Sequence, residues 1–92
     1  MSIKRINTFE AKDGEAGKLR AFLESFVPLI EGSQGCESCQ VLRSQEDPNQ
    51  FLVIERWSSV DAHRESLKNI PPDFGLIKPM LANPPHGSYF TE

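Results

Sequence analysis

Residues 51–70, FLVIERWSSVDAHRESLKNI, change hydrophobic period partway along, and that change decides how the chain folds. Phe51, Leu52, Val53 and Ile54 are apolar at consecutive positions, and the run ends at Trp57. A short β-rich segment with no polar face reads as a strand covered on both sides. Ser58 then stands where an N-cap is needed, with Asp61 near the first free amides, so the spacing predicts a helix from this point. Val60, Leu67 and Ile70 form its apolar stripe beside the small Ala62 and Ser66, and His63 falls on the same stripe, so a histidine faces inward. Pro71 and Pro72 stop the helix, because neither has an amide proton and the first disfavours α geometry at Ile70.

Working outward toward the N-terminus, residues 45–50 (QEDPNQ) have a turn composition that returns the chain antiparallel from a preceding strand, Cys36 to Ser44. Gly32 to Gly35 forms the turn before it. Ala16, Leu19, Leu23, Phe26 and Ile30 recur at helical spacing, with Asp13 as the expected cap and Pro28 expected to kink or fray the last turn. Ile3 to Glu10 reads as the first strand, with Ile6 and Thr8 on one face and Arg5, Asn7 and Phe9 on the other. A face carrying Asn between Arg and Phe borders solvent or lines a cavity. Toward the C-terminus, Phe74, Ile77, Met80 and Leu81 predict a short helical lid broken by Gly75 and Pro79, and His86 to Thr91 a last strand.

The order β-α-β-β-α-β, with right-handed crossovers, predicts an α+β ferredoxin-like fold: a four-stranded antiparallel sheet with helices on one face. The strand at 51–54 is apolar on both faces, yet no element remains to cover the second face. A second copy of the chain is the simplest cover, so a homodimer is expected.

At 92 residues the chain reads as a single domain, 1–92, near the small end of what buries a sufficient core alone. Its hydrophobic fraction of 38%, with six Phe and one Trp, suits a globular fold, and no apolar run is long enough to span a bilayer. A net charge of -3, with the basic residues scattered, provides no footprint for phosphate backbones, so neither nucleic acid nor membrane is an expected partner. Met1-Ser2-Ile3-Lys4-Arg5 lacks the apolar core of a signal peptide, which makes the cytoplasm the expected location.

Cys36 and Cys39 have the spacing of a redox or metal half-site, but such redox pairs open helices, whereas these begin a strand that sends alternate side chains to opposite faces. With no second cysteine pair, and with His63 and His86 not spaced as a helical metal pair, ordinary reduced thiols and no metal site are expected. His63 on an apolar stripe reads either as a core histidine hydrogen-bonded to backbone or as a general base near the strand of Arg5, Asn7 and Phe9. Trp57 is ordinarily a packing residue, but it ends its strand beside a helix start, where clefts form. Arg43, Arg56, Tyr89 and His86 are weaker candidates. No nucleophile triad, phosphate loop or carboxylate pair stands out.

Gly35-Cys36 opening one strand, Glu55-Arg56-Trp57-Ser58-Ser59 closing the next, then Ala62-His63 and a terminal Pro84-Pro85-x-Gly87 resemble, in that order, the antibiotic biosynthesis monooxygenase domains. The likeness spans nearly the whole chain. It implies a dimeric α+β barrel with a pocket between sheet and helices, in a family where many members oxygenate quinols and anthrones without metal or flavin and relatives degrade haem. The family's strand-one Asn matches Asn7, and the aromatic closing its third strand matches Trp57; members more often place the helix His about one turn beyond His63. The implied activity is a cofactor-independent monooxygenase taking a small aromatic substrate, a quinol or polyketide-type compound, and dioxygen. His63 and Asn7 are then the candidate catalytic residues, and Trp57, Arg5, Phe9 and Tyr89 the candidate substrate contacts. A dimeric module that only holds a small ligand, and a haem-binding relative with His63 or His86 as axial ligand, are the alternatives.

Overall fold

A computed structural model describes residues 2–92. Strands β1 (Ile3–Glu10), β2 (Cys36–Arg43), β3 (Gln50–Trp57) and β4 (His86–Thr91) form one antiparallel sheet in the order β2-β3-β1-β4, with helices α1 (Ala16–Glu31) and α2 (Val60–Ser66) in the two crossovers. This is the expected ferredoxin-like fold. Two 3-10 segments, Leu67–Asn69 and Pro72–Met80, connect α2 to β4. Among the described residues no helix is long and apolar enough to cross a membrane.

The pleat sorts β3 into two faces. Phe51, Val53, Glu55 and Trp57 are all buried on the inner face, while Leu52 and Ile54 are half-buried and Arg56 is exposed on the other. The inner face packs with Phe9 of β1, Leu19 and Leu23 of α1, and Ile77 and Leu81 after α2 to make the core. Phe74 of the longer 3-10 segment, the stretch expected as a lid, contacts Phe22 and Phe26 of α1 with ring centroids 6.0 and 5.2 Å away.

Local details depart from expectation at four places. Ser59 rather than Ser58 caps α2, its Oγ accepting the Ala62 amide at 3.1 Å, because Ser58 donates its own amide to Gly35 O across the β2 entry. Asp13 does not cap α1; its carboxylate accepts from Asn49 Nδ2 at 3.1 Å instead, and the helix starts after Glu15 without a side-chain cap. The second helix does not stay α-helical to Ile70: it tightens to 3-10 geometry after Ser66, and Ile70, preceding Pro71, is extended. Leu67 and Ile70 consequently stand about half exposed instead of joining the core.

The fourth departure is in β2. A bulge between Cys36 and Ser38 puts Cys36 opposite Trp57 and Cys39 opposite Glu55, so both thiols share the inner face instead of alternating. They are free; burial, reinforced by the Glu55 carboxylate, pushes Cys36 up to about 11 and Cys39 up to about 12. Gly35, with φ of 89°, makes the preceding turn possible, and a Cβ there would sit 2.7 Å from Ala62 Cβ on α2.

Candidate functional site

Alternation on β1 aims Arg5, Asn7 and Phe9 at the helices, and register on β3 aims Val53, Glu55 and Trp57 the same way. Between this floor and the walls made by the end of α1, α2 and the 3-10 segments lies a cavity of about 250 Å³. Its walls are mainly apolar, from Leu23, Phe26, Ile30, Leu67, Ile70 and Phe74; the sheet side carries Arg5, Asn7 and Glu55, and His63 faces them from α2. Polar groups thus converge at one end of an apolar hole, the arrangement that orients a small amphipathic ligand.

The floor is a connected network. Arg5 and Glu55 are directly paired across β1 and β3, and Asn7 sits between their side chains. Arg5 Nε donates to Asn7 Oδ1 at 3.1 Å, and Asn7 Nδ2 donates to Glu55 Oε2 at 2.9 Å. Trp57 Nε1 donates to Glu55 Oε1 at 2.8 Å, so each carboxylate oxygen has its own donor. His63 Nε2 lies 3.8 Å from Glu55 Oε1, and its Nδ1 is 2.7 Å from the Tyr89 hydroxyl. The Arg5 guanidinium lies over the Tyr89 ring, 4.6 Å from its centroid. Gly87 on β4 leaves room for this: a Cβ there would run into the Arg5 guanidinium and Asn7 Oδ1.

Burial works on the two titratable groups in opposite senses. It raises the Glu55 carboxyl above its ordinary value, against the opposing pull of the Trp57 hydrogen bond, the Arg5 charge and the Asn7 hydrogen bond. It lowers His63 to about 4, assisted by the positive charges of Arg5 and Arg64. His63 is therefore a neutral imidazole at pH 7, held in orientation by Tyr89. Among the described residues no cluster of three or more His, Cys, Asp or Glu is arranged to hold a metal.

Of the residues singled out in the sequence, Arg5, Asn7, Phe9, Trp57 and His63 all line the cavity, and Tyr89 backs His63. His86 stands exposed at the mouth, 3.4 Å from Ser88 Oγ. Arg43 lies elsewhere, donating to Pro48 O at 2.8 Å, and Arg56 pairs with Glu92 on the opposite sheet face. Sequence reasoning passed over Glu55 as a site residue. The available signal was an acidic side chain two residues from Val53 and two from Trp57, on the face a strand of this kind fills with apolar groups.

The family profile for antibiotic biosynthesis monooxygenase matches residues 2–74. Among curated proteins none matches the chain. The fold is shared by a candidate antibiotic biosynthesis monooxygenase of Bordetella bronchiseptica, at 23% identity and a TM-score of 0.84 over 99% of this chain and 96% of that one. It is shared also by Rv0793 of Mycobacterium tuberculosis, at 19% identity and 0.84 over 100% and 95%, and by SO0527 of Shewanella oneidensis, at 22% and 0.85 over 99% and 90%. With the profile covering most of its length, the chain belongs to the antibiotic biosynthesis monooxygenase family.

Proposed function

We propose that this protein is a monooxygenase that needs no metal or flavin and acts on a compact aromatic carrying ionisable hydroxyls, a quinol or polyketide-type compound. The observation that carries the reading is the polar floor of an otherwise apolar cavity, where Asn7 and Arg5 stand beside a neutral His63. Family membership supplies the reaction type.

In this chemistry an ionised aromatic is the reductant. His63 takes the hydroxyl proton at Nε2 while Tyr89 holds Nδ1; Arg5 and Asn7 stabilise the oxygen anion; Phe9 and Trp57 bound the ring. The anion passes an electron to dioxygen and the resulting radicals combine. One oxygen atom enters the substrate as a carbonyl, and the other leaves as water with the two hydrogens lost. The protein supplies desolvation, orientation and proton handling.

Oxygen uptake with a panel of quinols and anthrones tests this. Turnover in the wild type should fall about a hundredfold or more in His63→Ala, with Asn7→Ala acting on the same step. Tight ligand binding without oxygen uptake would make the protein a binding module, and a Soret band on adding haem would move it to the haem branch of the family.

We also infer a homodimer. Ile6, Leu42, Leu52, Ile54 and Phe90 occupy the sheet face that no helix covers, with Leu42 and Phe90 exposed. An apolar sheet face of this extent on so small a chain suits a second copy turned sheet to sheet.

A further inference from the structure

We propose that Glu55 is the final acceptor of the substrate's hydroxyl proton, received through His63. The inference rests on the monooxygenase reading above and deepens it by naming where the proton goes.

Glu55 is 6% exposed, between Val53 and Trp57 on a face otherwise built from apolar side chains. Taking a carboxylate out of water carries a cost that an apolar side chain in the same place would not, so packing alone does not account for one here. Its two donors, Asn7 Nδ2 and Trp57 Nε1, each occupy one lone-pair site on a different oxygen. A carboxylate has about four such sites, so Oε1 retains capacity on the side where His63 Nε2 lies 3.8 Å away. Both groups line the cavity.

The groups facing this pair set the direction of transfer. Arg5 comes from β1, Arg64 from α2, Tyr89 from β4, and the thiols of Cys36 and Cys39 from β2. Burial makes Glu55 more basic than an ordinary carboxylate and His63 less basic than an ordinary imidazole, so a proton on His63 moves downhill to Glu55. The balance is simple. The substrate O–H bond breaks and His63 Nε2–H forms, with Nδ1–H donated to the Tyr89 oxygen; the ring then turns about that bond to carry Nε2–H from the substrate anion to Glu55 Oε1, 3.8 Å from Nε2 at rest, where Nε2–H breaks and Oε1–H forms. His63 ends neutral, Glu55 ends uncharged, and the substrate anion is left beside Arg5 without an opposing carboxylate charge.

The test uses the intact chain and 4-nitrophenol, whose phenolate is coloured, at a pH above the ordinary carboxylate range and well below the probe's own pKa, where the free probe is neutral phenol and brings one proton per molecule bound. Absorbance reports the ionisation of bound probe, and calorimetry in two buffers of different ionisation heat counts protons released. The wild type should bind phenolate with no proton released to buffer. Glu55→Gln should either lose the phenolate band or release one proton per phenolate bound, and Glu55→Asp, with shorter reach, should fall between. The kcat/KM profile of the wild type should carry an acid limb above the ordinary carboxylate range, absent in Glu55→Gln. Equal phenolate and equal proton count in wild type and Glu55→Gln would overturn the proposal while leaving the monooxygenase reading intact; if Glu55→Gln does not fold, a wild-type proton count in Glu55→Asp does the same. A wild type that binds the probe only in neutral form also overturns it, and failure to bind any phenol overturns both.

Discussion

His63 shows how one side chain couples the site to the stability of the fold. Its folded value of about 4 lies below the 6.5 of a free imidazole, so between these pH values the unfolded chain binds the proton that the folded chain refuses. Stability conferred by neutral His63 is therefore present above about pH 6.5 and lost as pH falls toward about 4, by up to about 3 kcal/mol. Glu55 acts the other way, since its raised folded value favours the fold at low pH and is lost as pH rises. Comparing wild type with His63→Gln isolates the first effect. The wild type's advantage in urea unfolding should shrink by about 3 kcal/mol between pH 7 and 4, and a constant difference would show that the imidazole is not held neutral. Gly87→Ala is the residue-scale test of the floor. Its Cβ meets the movable end of Arg5 and the amide of Asn7, so stability should change by less than about 1 kcal/mol while affinity for an aromatic anion falls about tenfold.

At the scale of elements, α2 is only seven residues long and carries His63 near its middle. A helix this short holds its place through its cap and its packing rather than its propensity. Ser59→Ala removes the Oγ that accepts the Ala62 amide and should cost about 1 kcal/mol, read as a lower Tm. Gly35→Ala should cost more, because it forces both an unfavourable φ and a clash with Ala62 on the same helix. The β2 bulge brings Cys36 and Cys39 to one face without making them reactive, since burial holds both thiols protonated at neutral pH. Titration of denatured, never-reduced protein should find two free thiols.

At the scale of the molecule, the sheet divides two tasks between its faces. The inner face carries core and cavity, and the outer face carries an apolar patch centred on the Ile6–Ile54 and Leu42–Leu52 pairs. The light-scattering mass at micromolar concentration should be that of two chains. Ile54→Glu places a charge in the middle of the patch and should yield monomer or unfolded chain, whereas a monomeric wild type would end the homodimer reading.

The local sequence determined the elements. The shift from a continuous apolar run to a helical stripe at residues 51–70, the prolines at 71 and 72, and the alternation of Arg5, Asn7 and Phe9 are short-range signals, and they located β3, α2 and β1. They also picked out Arg5, Asn7 and His63 among the side chains that line the cavity, because a polar residue on an inward face is visible as a break in period. What depends on register was decided only by tertiary structure. The bulge that rotates Cys36 onto the face of Cys39, the capping role passing from Ser58 to Ser59, and the exposure of Leu67 and Ile70 at the cavity mouth each turn on a one-residue shift or one tightened turn. Glu55 is the clearest case. Within its strand it is one acidic residue beside Trp57 and near a surface arginine; only pairing with β1 and the packing of α2 bring Asn7 and His63 to its carboxylate, and burial is what raises its proton affinity.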